Sequence, residues 1–183
     1  GPGELSAPEM GNALVDASVR LSGTKYHPIR KFFADRWALD SMMRQTPPRQ
    51  SEINELFAYI RAQAQALLAD KTIPEQELFE LGVDYIERFC WATNSYDFYD
   101  PFEAALMPGR EKSAVAHYLK GYHLHKQAWA WRGGGFADKV SDVGGEQFAK
   151  KLVEAEASLS KAWSLDKPAD RIPTRMTDVA TGW

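Results

Sequence analysis

Apolar residues recur three or four positions apart along most of this chain and almost never alternate, a spacing that predicts helix after helix and no sheet. Met10, Leu14, Ala17 and Leu21 fall on one helical face before Gly23, and Ile29, Phe32, Phe33, Trp37, Met42 and Met43 continue the pattern up to Pro47-Pro48, which cannot extend a helix. Ser51 is expected to cap a long helix with Ile53, Leu56, Phe57, Ile60, Ala64, Leu67 and Leu68 inward. Thr72-Ile73-Pro74-Glu75 has the form of a capping box. It opens a helix whose inner face reads Leu78, Phe79, Val83, Ile86, Phe89 and Cys90. Asp100-Pro101-Phe102-Glu103 starts a short helix that ends near Pro108-Gly109.

The segment from Ser113 to Arg132 carries two apolar stripes. Val115, Tyr118, Tyr122 and Trp129 form one, and Gly121, Leu124, Ala128 and Trp131 form the other, so this helix is expected to be covered on two sides. Gly133 supplies its stop. Ser141 or Asp142 begins a further helix with Phe148, Leu152, Ala155, Leu159, Ala162 and Trp163 inward, and a last one is expected around Ile172 to Thr181. The expected fold is all-α: about seven helices arranged as antiparallel hairpins, in a tetratricopeptide-like array or an irregular bundle.

Size fits this picture, since 183 residues that are 44% hydrophobic suit one domain with a core of its own. Gly1-Pro2-Gly3 has the look of a tag-cleavage scar, which leaves 4–183 as the expected helical domain, compatible with a chain trimmed from something longer. A net charge of -3 with interspersed signs argues against a dedicated nucleic-acid surface. The single cysteine, Cys90, rules out an internal disulfide framework and is expected to be a small core thiol. No run approaches the roughly 20 apolar residues of a membrane helix, so insertion by this segment is not expected.

The stretch Ala155-x3-Leu159-x2-Ala162-Trp163-x-Leu165-Asp166-x-Pro168 resembles the second helix of a tetratricopeptide repeat, with one extra residue before the proline. A wider block from His117 to Gly182 includes Ala128-Trp129-Ala130-Trp131-Arg132-Gly133-Gly134-Gly135-Phe136-Ala137, Phe148, Leu152, Ala155, Ala162-Trp163-x-Leu165 and Met176. It resembles the bacterial family called domain of unknown function 4034. That likeness covers the last third of the chain and implies bacterial origin and a helical-repeat context. It brings no catalytic residues with it.

Chemistry has few candidates. His117, His123 and His125 share one helix, yet at about 100° per residue His123 and His125 point about 200° apart and His117 lies on a third stripe, so no metal site is expected from them. His123, beside Lys120 and Gln127, is expected at the solvated surface, and His125 at the edge of the Tyr122/Trp129 face. Gly133-Gly134-Gly135 lacks the strand and the Lys-Ser/Thr of a phosphate loop and reads as a helix stop. Arg132, next to Trp129 and Trp131, is placed either to stack on an indole or to meet an anion. The loop Ser95 to Glu103 concentrates aromatic and acidic groups, a composition suited to partner binding as well as to an ordinary inter-helix turn.

These readings lead to an expected non-catalytic interaction or scaffold domain that needs no cofactor, with a protein or peptide in a groove contacted by Tyr96, Asp97, Tyr99, Tyr122 and Arg132. A toxin-neutralising or regulatory binding protein is the alternative. A metal-dependent hydrolase built on His117 and nearby acids comes third.

Overall fold

In a computed structural model, described for residues 7–45, 50–90, 99–133 and 140–165, the protein is all-α, with seven α-helices and no strand among those residues. The helices are α1 (Ala7–Ser22), α2 (Pro28–Met43), α3 (Gln50–Ala69), α4 (Glu75–Tyr85), α5 (Tyr99–Leu106), α6 (Ala114–Arg132) and α7 (Asp142–Leu165), and a π-helical turn, Ile86–Cys90, extends α4. The expected helix at 172–181 and the side chain of Cys90 lie outside the described residues. No helix of the described residues is long and apolar enough to cross a membrane. The chain divides into two compact units, Gly1–Leu67 and Leu68–Trp183.

In the first unit, α1 and α2 form an antiparallel hairpin. Gly11, near the start of α1, lets the helices close up: a Cβ there would stand 2.6 Å from Ser41 Oγ and 2.9 Å from Gln45 Nε2, near the end of α2. His27 caps α2 by accepting from the Ile29 N–H through Nδ1 (3.3 Å), and Pro28 takes a position whose missing N–H costs nothing. Lys31 Nζ donates to the Ser22 and Thr24 carbonyls (both 2.9 Å), serving groups that the end of α1 leaves unpaired. Ile29, Phe32, Ala38, Leu39 and Met42 of α2, with Ile53, Ile60, Ala64 and Leu67 of α3, make the core. Within it lies a polar node. Ser18 Oγ donates to the buried Asp35 carboxylate, which Gln63 of α3 also serves. Burial pushes the Asp35 carboxyl above its usual range, against the opposing effects of those two hydrogen bonds and of Lys31.

The apolar pattern misplaces several side chains here. Met10, Trp37 and Met43 are each more than half exposed, and Ala17 is exposed too. From residue 9 onward the buried positions of α1 are Gly11 and Ser18, a glycine chosen for close approach and a serine chosen for Asp35. Trp37 points about 140° away from Phe32 and about 160° from Leu39, so it belongs to the outer face. Ser51 lies inside α3, not ahead of it, and its hydroxyl donates to Glu55 Oε1 (3.3 Å).

The second unit is built around α6. Leu78, Leu81, Tyr85 and Ile86 come to its core from α4 and the π-helical turn, Phe102 and Leu106 from α5, and Leu152, Ala155, Leu159 and Ala162 from α7. Two glycines set the contact distances: Gly82 of α4 faces Leu119, and Gly121 of α6 faces Leu159 and the Ala155 carbonyl. The capping box at Thr72 does not form. Both the Thr72 N–H (2.8 Å) and its hydroxyl (2.7 Å) donate instead to Asp70 Oδ1, and α4 starts from Pro74 with no side-chain cap. Serine, threonine and aspartate near a helix start compete for the same donors, and here the local turn wins.

Arg110, after α5, is buried and fully engaged: its guanidinium donates to the Leu68, Leu106 (3.1 Å) and Asp70 carbonyls, closing the ends of α3 and α5. Arg110→Ala is expected to cost about 3 kcal/mol, because carbonyls sealed from water lose a charged donor. Arg110→Lys, a point donor in place of a fork, should recover less than half of that. Amide hydrogen exchange over 104–113 reads the change, and protection equal to wild type in the alanine variant would refute this role.

Candidate functional site

The strongest concentration of unusual side chains lies along α6. Ser113 starts this helix by accepting from the Ala116 N–H (3.0 Å), and Gly133 ends it at φ 74°, with its N–H bonded to the Trp129 carbonyl (3.0 Å). Between these stops the helix is buried on nearly every side, because α4, α5 and α7 all pack on it. Aromatic rings fill the contacts. Phe79 meets Tyr118 at 5.5 Å between ring centres, Tyr118 meets Tyr122 at 6.3 Å, and Trp129 sets its edge against Phe148 at 5.2 Å.

The three histidines do three different things. His117 Nε2 lies 3.0 Å from the Glu111 carbonyl, in the turn that leads into α6. His125 accepts from Trp129 Nε1–H at 3.1 Å, so its neutral ring carries its proton on Nδ1. His123 is 2% exposed, which corrects the expectation of a solvated residue. Its ring lies 4.9 Å from that of Phe102, which is itself stacked on Tyr85 at 5.3 Å. Burial, reinforced by the positive charges of Lys151 and Lys120, pulls the His123 pKa down to about 3, so the ring is neutral at physiological pH. Among the described residues no group of three His, Cys, Asp or Glu side chains could hold a metal ion.

Charges around α6 are engaged with one another. Lys120 pairs with Glu103 of α5, Lys126 with Glu87 of the π-helical turn (3.3 Å), and Lys151 of α7 with its own Glu154 (2.9 Å). Arg132 stacks over the Trp129 indole with its Cζ 5.2 Å from the ring centre. The first two of these pairs tie α6 to its neighbours, and the last two contacts lie within single helices.

Of the side chains expected to touch a partner, Tyr96 and Asp97 lie outside the described residues. Tyr99 falls at the start of α5. Tyr122 is 1% exposed, and its ring is a core component with Lys126 Nζ 5.6 Å from its centre. Arg132 is half-buried on its indole, ten residues or about 15 Å along α6 from Tyr122. The pattern did not reveal which large apolar side chains the first unit leaves uncovered, among them Tyr26, Trp37, Met43 and Tyr59, each more than half exposed. The available signal was geometric: Trp37 sits off the Phe32/Leu39 stripe. Compared with protein-family models, with curated proteins and with solved structures, the chain matches none.

Proposed function

We propose that this protein is a non-catalytic helical interaction or scaffold domain that binds another protein. The observation that carries the reading is the contrast between Lys120 and Lys126 of α6, which are paired with Glu103 and Glu87 of neighbouring elements, and the large apolar side chains Tyr26, Trp37, Met43 and Tyr59, which the first unit leaves in solvent. Aromatic side chains held on rigid helices lose little freedom on contact and dominate binding energies at protein interfaces. The α6–α7 hairpin, packed through Gly121, Ala155 and Ala162, supports a tetratricopeptide-like character. In this reading Tyr122 contributes by shaping α6, while Tyr99, Arg132 and the exposed side chains of the first unit are the contact candidates.

Affinity capture with the immobilised protein tests the proposal, comparing wild type with Trp37→Ala, Tyr99→Ala and Arg132→Ala after checking that each keeps its helical circular dichroism. One protein retained by wild type and lost with at least one variant is the expected result. Retention indifferent to all three, or no retained protein, counts against it.

A further inference from the structure

The ring that lies over His123 belongs to α5, at eight residues the shortest described α-helix. Phe102 meets the buried imidazole with 4.9 Å between ring centres and is stacked in turn on Tyr85 of α4 at 5.3 Å. From Pro101 onward the buried side chains of α5 are Phe102 and Leu106, so its seat is narrow. Its two ends are held differently. At the far end the Leu106 carbonyl accepts from the Arg110 guanidinium (3.1 Å), with Gly109 between them at φ 75°, whereas the first turn is held by Phe102 and by Glu103, paired with Lys120 of α6. Two charges reach the imidazole and both are positive, Lys151 of α7 and Lys120. Carboxylates on the packed elements each pair with a cation: Glu103 with Lys120, Glu87 of the π-helical turn with Lys126 (3.3 Å), Asp84 of α4 with Arg88 (2.8 Å) and Glu154 of α7 with Lys151 (2.9 Å).

We infer that α5 is an acid-released cover on His123: the imidazole takes up a proton only after the first turn of α5 has lifted Phe102 off it, about the end that Arg110 fixes. The seated helix keeps the ring dry, between Phe102 and two ammonium groups, and all three oppose a charge there. The lifted helix admits water and restores an ordinary imidazole. Protons therefore add to the lifted state alone, and its population rises as pH falls below 6.5, the ordinary value for histidine. Packing decides which element yields. α7 lies on α6 through Leu152, Ala155, Leu159 and Ala162, and α5 through Phe102 and Leu106, so α5 opens at the lower free energy. Lifting carries Phe102 into solvent and uncovers the Tyr85 ring, so acid brings out apolar area that neutral pH keeps covered. Release of α5 needs no bound partner, and it stands apart from the interaction reading above.

Native-state amide hydrogen exchange of the full chain, corrected for its intrinsic pH dependence, tests this. It compares residues 103–106, whose helical bonds break when the first turn lifts, with residues 152–162 of α7. From about pH 7 to about pH 5 the open population read at 103–106 is expected to rise about 20-fold, and to be indifferent to urea below the unfolding transition. Exchange at 152–162 should be slower, and urea should accelerate it, as global opening requires. In His123→Gln the acid response at 103–106 should vanish, whereas Glu103→Gln should keep it, which assigns the proton to the imidazole and not to the Glu103–Lys120 pair. Equal protection and equal urea dependence in the two helices would make the opening global and overturn the inference. A response lost in Glu103→Gln, or kept in His123→Gln, would do the same. So would a His123 ring that titrates near its ordinary value by NMR while α5 stays protected, since the proton would then have entered beneath Phe102. Should His123→Gln fail to fold, the urea dependence of the wild type and the Glu103→Gln variant still decide.

Discussion

Gly121→Val is expected to destabilise the second unit by more than about 3 kcal/mol. A Cβ at 121 would stand 2.7 Å from Leu159 Cγ, 2.9 Å from its Cδ2 and 3.1 Å from the Ala155 carbonyl oxygen. Leu159 is fully buried and has little room to retreat, and the carbonyl is main chain of α7. Alanine gains about 1 kcal/mol of helix propensity over glycine, which offsets only part of the crowding from its own Cβ, so Gly121→Ala should still lose about 1–2 kcal/mol. Valine adds two methyl groups to the same gap and has no such offset. Leu159→Ala alone should cost about 3 kcal/mol through the cavity it leaves. Combined with Gly121→Val it should cost at least about 2 kcal/mol less than the two separate losses added together, because the valine refills that space. Urea unfolding of the four proteins measures this coupling, and strict additivity would mean that α6 and α7 are not held at this distance by Gly121.

That glycine shows how far the fold could be read in advance and where the reading stopped. The bounds of α6 were legible because two independent signals coincide, a serine able to cap at 113 and a glycine able to take positive φ at 133, at the ends of one apolar pattern. Ser141, whose Oγ accepts from the Gly144 N–H at 3.1 Å, marks the start of α7 for the same reason. Thr72 had the right spacing, but Asp70, two residues earlier, captured its donors. In α4 the buried face is Leu78, Leu81, Gly82, Tyr85 and Ile86, a regular helical stripe one position round from the one read through Phe79 and Val83, which are only half-buried.

The candidate site was less legible, for a physical reason. Hydropathy scores Trp37 as it scores Phe32, although only the second has a helix above it, and it scores His123 as polar although Phe102 of α5 covers it. Stacking of Arg132 on Trp129 was readable because neighbours three apart meet on a helix. Contacts between distant helices, such as Phe102 with His123 or Ser18 with Asp35, leave no spacing in the chain. A binding surface is defined by what the fold leaves uncovered, so it emerges only after those contacts are known.

The two units are expected to respond to acid in opposite directions, through His123 in the second and Asp35 in the first. Its pKa is held at about 3 in the folded protein against 6.5 in an unfolded chain, by burial first and then by Lys151 and Lys120. Between those values the unfolded state binds a proton that the folded state refuses, so the stability contributed by the neutral ring is complete above pH 6.5 and is lost as pH falls toward 3. At about 1.4 kcal/mol per pH unit, the loss across the window is on the order of 4 kcal/mol, a large share of a small domain's stability. Asp35 works the other way. Its carboxyl is raised above 3.8, so the folded state binds the extra proton, and the first unit gains stability as pH drops through that raised range toward 3.8. Amide hydrogen exchange, corrected for its intrinsic pH dependence, separates the two: from pH 7 to 4 protection should fall in α6 and rise in α1 and α2. His123→Gln keeps a neutral polar group without the titration, and its difference from wild type should shrink steadily as pH falls, whereas Asp35→Asn should level the response of the first unit. If α6 protection in the wild type followed that of His123→Gln at every pH, the buried imidazole would not be the group that opposes acid.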